Sequence, residues 1–186
     1  MARIGMVDPK TATGKAKELL DQIQASFGRT PNMMRTMAHS PALLEGYLNF
    51  SKALGGGALS ARLREQLALA VSEANSCQYC VSAHTAIGKM VGVDESELMA
   101  SRHGTSTDPR AALALEFARA LAAQRGDVTD GDVRRLREAG YTDGEIAEII
   151  GAVALNILTN YFNKAAAVEV DFPRVPLVSE PLAATR

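Results

Sequence analysis

Cys77 and Cys80 are the only two cysteines of this 186-residue chain, and a histidine follows four residues later, in Ser76-Cys77-Gln78-Tyr79-Cys80-Val81-Ser82-Ala83-His84. Two thiols and an imidazole this close can form a reversible dithiol and disulfide pair, present an activated sulfur nucleophile, or ligate a metal. Positions 77, 80 and 84 are related as i, i+3 and i+7, so on one helix the three side chains share a face. Residues three apart on a helix have Cα atoms ~5 Å apart, within the span a disulfide bridges, so the pair can close and reopen with little backbone movement.

Two arguments favour different sulfurs as the nucleophile. Ser76 is the expected N-cap, which puts Cys77 in the first helical turn, where free N–H groups and the macrodipole favour a thiolate. His84 lies one turn beyond Cys80, and helical side chains lean toward the N-terminus, so its imidazole can reach Cys80 and take its proton. Two carboxylates could serve that imidazole. On an unbroken helix Glu65 would sit about 18 Å from Cys77, too far for proton transfer. A break at Asn75-Ser76 would let two helices pack side by side and return Glu65 to the thiols, while Glu73, one turn before Cys77, is the rival. A glutamate next to Arg64 is otherwise a solvated surface charge.

The elements that must position these groups are helices. Helical periodicity and caps recur from end to end, and strand-like alternation bounded by hairpin turns is nearly absent, so the fold class is all-α in one domain. The pattern predicts a first helix over 12–27, with Leu19, Leu20 and Ile23 buried and Gly28 as its stop, and a short turn of helix from Pro31. Further starts fall at Ser40-Pro41 and Ser60, at Asp94 with Glu97, at Asp108-Pro109 and Thr129, and at Thr142 with Glu145 as a capping box. The longest helix is expected over 143–170, with Ile146, Ile149, Ile150, Val153 and Ile157 on its apolar face. The chain divides into an N-terminal helical region (1–59), a core (60–170) and an extended tail (171–186). Pro173, Pro176 and Pro181 should carry that tail off the body, to fray or to lie on a neighbouring subunit.

With 20 Lys and Arg against 21 Asp and Glu the net charge is −1, so no global basic field points to nucleic acid or anionic lipid. The first ten residues do not resemble a secretory signal, and the longest apolar stretch (149–158) is short of the ~20 residues of a spanning helix. A cytoplasmic location is the expectation. In that reducing compartment structural disulfides are uncommon, which favours catalytic or metal-binding work for the two thiols. Tyr79 is expected to line a pocket or to pack with its hydroxyl satisfied, and His39 and His103 to be boundary or surface residues. Met33, Met34 and Met37 read as a core stripe or an apolar entrance, and Asn156, Asn160 and Asn163 as hydrogen-bonding glue to a facing helix or subunit.

Glu65, followed after eleven residues by Cys77-Gln78-Tyr79-Cys80 and then His84, resembles the signature of alkyl hydroperoxidase D in the carboxymuconolactone decarboxylase superfamily. Leu63 to Val71 and Ala83-His84 are similar too. Thr30 to Met34 and Ala38 to Leu48 resemble the N-terminal region of its peroxidase-related branch, and Thr142 to Ile146 with Asn156 to Lys164 its later helices. The resemblance implies an all-helical enzyme that reduces hydroperoxides through its CxxC pair, without a cofactor or metal, as a homo-oligomer (trimer or hexamer). By position, Cys80 is the peroxide-attacking thiol, Cys77 the resolving thiol, and His84 with Glu65 the proton relay. Tyr79 stands where the founding member has histidine, and a phenol with pKa of ~10 is a poor base near neutrality. The implied partners are the hydroperoxide and an external dithiol, lipoyl or thioredoxin-like, with neither nucleic acid nor membrane. Two alternatives remain at this point. One is a helical zinc-binding or interaction module using Cys77, Cys80, His84 and Glu65 or Glu73; the other is a lactone decarboxylase-type enzyme, whose chemistry needs no thiols.

Overall fold

The computed structural model describes residues 2–178, and among them every regular element is a helix, as the periodicity predicts. In chain order these are α1 (Gly14–Phe27), α2 (Asn32–Met37), α3 (Pro41–Gly55), α4 (Ala61–Ala74), α5 (Gln78–Met90), α6 (Glu95–Arg102), α7 (Pro109–Ala123), α8 (Asp130–Glu138) and α9 (Asp143–Ala166). Their starts are encoded locally. Ser40 and Ser60 accept the N–H groups of Leu43 and Leu63, and Thr129 with Asp132 and Thr142 with Glu145 form reciprocal capping boxes. Asp94 also precedes a helix, but makes no side-chain cap. Its supposed partner Glu97 is buried and accepts from Ser106, Thr107 and Gln66 instead.

Helix α4 is the hub, packed against α5, α6, α7 and α9. One face, with Leu63, Leu67, Ala70 and Val71, builds a core with Ala114, Leu115 and Ala118 of α7 and Ile146, Ile149 and Val153 of α9. A second core joins Leu19, Leu20 and Ile23 of α1, the three methionines of α2 and Leu44 of α3 to Cys77, Cys80 and Ala166. The thiols therefore lie inside a hydrophobic core, where each large apolar side chain contributes about 1.5–3 kcal/mol on burial.

Four expectations are corrected. Helix α9 ends at Ala166 rather than at 170, because the N–H groups of Arg3 and Ile4 and the Arg3 guanidinium occupy its last carbonyls. Ala167 then turns left-handed at φ 51°. Ile150 is exposed, not in the core; with Ala147, Ala154, Leu158, Tyr161 and Ala165 it forms an outward apolar stripe along α9. At 24 residues α9 is long and apolar enough to cross a membrane by length and composition. Here it packs into the core with Asn156, Asn160 and Asn163 on its buried face. Finally, the tail stays on its own chain through Val178. The Val175 N–H donates to Ser82, Gln78 donates to the Val175 carbonyl, and the Val178 N–H donates to Glu73. Pro181 lies outside the described residues.

The feature that serves the site is the reversal between α4 and α5. Asn75 ends α4, Ser76 adopts φ 50°, and the Cys77 N–H returns to the Ser72 carbonyl at 2.9 Å. Helix α9 pins this turn: Lys164 donates to the Asn75 carbonyl at 2.6 Å and the Asn75 amide donates to Asn160 at 2.9 Å. A left-handed conformation costs a non-glycine residue roughly 1–2 kcal/mol. Ser76→Gly should therefore raise stability to urea by up to about 1 kcal/mol, and Ser76→Val should lower it by about 1–2 kcal/mol. Two variants of equal stability would show that the turn is not strained.

Candidate active site

Because Ser76 is left-handed, Cys77 rather than Ser76 is the N-cap of α5, and its Sγ accepts the Cys80 N–H at 3.4 Å. Both thiols are reduced and at most 2% exposed. Their protonation is driven apart. The hydrogen bond to Cys80, burial and the Cys80 charge push the Cys77 thiol well above its ordinary value. Burial pushes Cys80 up as well, but it is outweighed by the hydrogen bond from Cys77, the charge of His84 and the amides of Asn163 and Asn160, and Cys80 comes down to about 7. Of the two arguments about the nucleophile, the one for Cys77 in the first turn gives way: with its sulfur tied up as cap and donor, it keeps its proton.

The side-by-side packing of α4 and α5 returns Glu65 to this turn, with Oε2 2.7 Å from His84 Nδ1. Burial alone would lower the His84 pKa, but the Glu65 carboxylate, by charge and hydrogen bond, and the Cys80 charge raise it above the ordinary value. The imidazolium therefore persists toward neutral pH beside the sulfur. Glu73 is occupied elsewhere, in a largely buried 2.7 Å ion pair with Arg102 that also accepts the Val178 N–H. Among the described residues no three His, Cys, Asp or Glu side chains are arranged to hold a metal ion. His39 and His103 are exposed, at the start of α3 and the end of α6.

Cys80 and His84 form one wall of a cavity of about 380 Å³ whose other walls are mostly apolar, including Met33, Met34, Tyr79, Ile87 and Phe172, with Arg29, Thr159 and Asn163 as the polar exceptions; Cys77 does not line it. Tyr79 combines both expected roles. Its ring lines the cavity and meets Phe172 edge-on at 5.7 Å, while its hydroxyl accepts the Met33 N–H at 3.2 Å and burial keeps it protonated. The methionines are core residues, and two of them also line the cavity. A smaller cavity of about 110 Å³ is lined by Glu65, Arg64 and Asn156, and His84 borders both cavities. The group that sequence reasoning missed is Asn163, whose Nδ2 lies 3.2 Å from Cys80 Sγ. The signal was present as three asparagines at i, i+4 and i+7 on one face of an apolar helix, but nothing local says which of them meets a sulfur.

Residues 41–120 match the carboxymuconolactone decarboxylase family. Among solved structures, the alkylhydroperoxidase AhpD core of a peroxidase-related protein from Ralstonia eutropha JMP134 is 25% identical, with a TM-score of 0.83 over 91% of this chain and 92% of its own. A peroxidase-related protein from Silicibacter sp. TM1040 is 24% identical, with a TM-score of 0.77 over 89% and 91% of the two chains. The debrominase Bmp8, solved in complex with 2,3,4-tribromopyrrole, is 20% identical and shares the fold, with a TM-score of 0.78 over 90% and 91%. No curated protein sequence matches the chain. The chain thus carries a carboxymuconolactone decarboxylase family segment over residues 41–120 within an AhpD-like helical fold.

The coupling between Glu65, His84 and Cys80 has a definite sign. Glu65→Gln removes the charge that keeps His84 protonated, so at pH 7 less imidazolium faces Cys80 and the thiolate loses support. The pH midpoint of Cys80 alkylation by iodoacetamide, about 7 in the parent, should rise by about one unit. An unchanged midpoint would disconnect the carboxylate from the thiol.

Proposed function

We propose that this chain is a thiol-dependent peroxidase that reduces hydroperoxides to alcohols through a cycle of Cys80 and Cys77. One observation carries the reading: of the two sulfurs, the one that faces the cavity is also the one whose pKa is brought down to about 7. The Cys80 thiolate attacks the distal oxygen of ROOH, so an S–O bond forms as the O–O bond breaks. The departing alkoxide takes a proton from the His84 imidazolium and leaves as ROH, and Glu65 holds the ring by Nδ1. The Cys77 thiol then condenses with the Cys80 sulfenic acid, its proton leaving with the sulfenic oxygen as water. An external dithiol, lipoyl or thioredoxin-like, returns two electrons to the disulfide, and a reducing cytoplasm would keep the resting pair as thiols. Lactone decarboxylation gives no role to a cavity-facing thiol of lowered pKa beside an imidazolium, and so fits this site less well.

Replacing Cys80 by Ser should abolish turnover. Cys77→Ser should still consume one peroxide and leave a sulfenic acid that dimedone traps. Equal, mild losses in the two variants would overturn the assignment.

Assembly as a trimer or hexamer belongs to the same proposal, and the outward stripe of α9 supports it, with Ile150 43%, Leu158 38% and Tyr161 59% exposed and no charged residue between them on that line. Light scattering should give a trimeric or hexameric mass for the parent and a monomeric mass for Ile150→Lys with Leu158→Lys. A monomeric parent would contradict it.

A further inference from the structure

We propose that Asn163 is a further catalytic residue: its side-chain amide donates to the attacking sulfur and holds Cys80 as the thiolate, independently of His84. The inference rests on the peroxidase reading for its catalytic meaning, but not for its geometry.

Asn163 Nδ2 lies 3.2 Å from Cys80 Sγ and 3.2 Å from Met33 Sδ, and the residue is 3% exposed while lining the cavity. Its carbonyl Oδ1 is buried with no partner among the described residues. A buried amide left half unpaired is uncommon, because the unmade bond is costly. Asn160, one turn earlier, has both ends of its amide paired, donating to Ser72 Oγ at 3.2 Å and accepting from Asn75 at 2.9 Å, and it supports the Cys80 charge less than Asn163 does. Asn163 instead directs its donor at two sulfurs. A thioether and a neutral thiol are weak acceptors, whereas a thiolate is a strong one. The amide therefore gains most from its position when Cys80 is ionised. The reversed orientation would set a carbonyl oxygen against the thiolate, acceptor against acceptor, so the charged sulfur itself fixes which way the amide points.

The step it serves is Cys80–S⁻ + ROOH + H⁺ → Cys80–SOH + ROH, in which sulfur is oxidised and the peroxide reduced. An amide neither gives nor takes the proton. Asn163 thus acts on the charge of the sulfur, and His84 on the proton of the leaving group.

The test is a titration of thiolate ultraviolet absorbance in Asn163→Ala and Asn163→Ser, with kcat/KM for a hydroperoxide measured across the same pH range. Cys77 keeps its proton well above neutrality, so the midpoint near 7 belongs to Cys80. Both variants should move it up by about one unit, the size of one hydrogen bond to a charged group, leaving about tenfold less thiolate at pH 6. The rate should fall in parallel at neutral pH and recover above the shifted midpoint. Serine is small and polar enough for the same space but too short to reach the sulfur, so the measurement survives if the alanine variant folds poorly. A midpoint that stays near 7 in a folded variant overturns the inference, whatever happens to the rate. Should the parent turn over no peroxide while the midpoint still shifts, the peroxidase reading falls and the contact to the thiolate stands.

Discussion

A sulfur that carries negative charge inside a hydrophobic core is the constraint around which this chain is arranged. Cys80 is 2% exposed and belongs to the same cluster as Leu20, Ile23 and Leu44, so burial alone would keep its proton on. Three kinds of group work against that burial: the Cys77 thiol, the charge of His84 and the amides of α9. Cys77 and His84 belong to α5 itself, the first as its N-cap, and the amides to α9, while the Glu65 carboxylate that keeps His84 charged lies on α4 and reaches the imidazole only if the chain reverses between α4 and α5. Without the left-handed residue at 76, Glu65 and His84 would lie far apart on one long helix. With it, they are 2.7 Å apart.

The reversal is held from outside. Helix α9 clamps it through Lys164 and Asn160, and carries Asn163 to the sulfur. The N-terminal helices and the tail complete the cavity with Met33, Met34 and Phe172, and Arg29 lies 4.6 Å from the Phe172 ring centre. The matched family segment, residues 41–120, therefore contains the thiols, the imidazole and Glu65, whereas Asn163 and much of the apolar wall come from beyond it. The chemical groups and the surface that meets a substrate are drawn from different parts of the chain.

What was legible in the sequence was local. Helix starts at Ser40, Ser60, Thr129 and Thr142 follow from capping chemistry written in a few adjacent residues, and Gly28 stops α1 in the left-handed conformation the stop requires. The approach of Glu65 to His84 was also accessible, because it needs only one break at a named dipeptide. Most of the failures depend on a partner distant in the chain, and the turn at Ser76 is the local exception. Ser76 has the composition of an N-cap, but the return of Cys77 to Ser72 turns it left-handed and passes the cap to Cys77. The end of α9 is set by Arg3, 163 positions before Ala166, and the prolines of the tail say nothing of Gln78, Ser82 and Glu73 waiting to hold it. Asn163 differs from Asn156 and Asn160 only in what stands opposite.

The most direct measurement of the central claim is a stoichiometric one. The reduced protein, freed of reductant, is mixed with one equivalent of an organic hydroperoxide; thiols are counted, the alcohol is quantified and the disulfide is mapped by mass spectrometry. The account predicts one alcohol formed and both thiols lost per chain, with a Cys77–Cys80 bond inside a single chain. Intact peroxide with both thiols still free, or a disulfide only between chains, would contradict it.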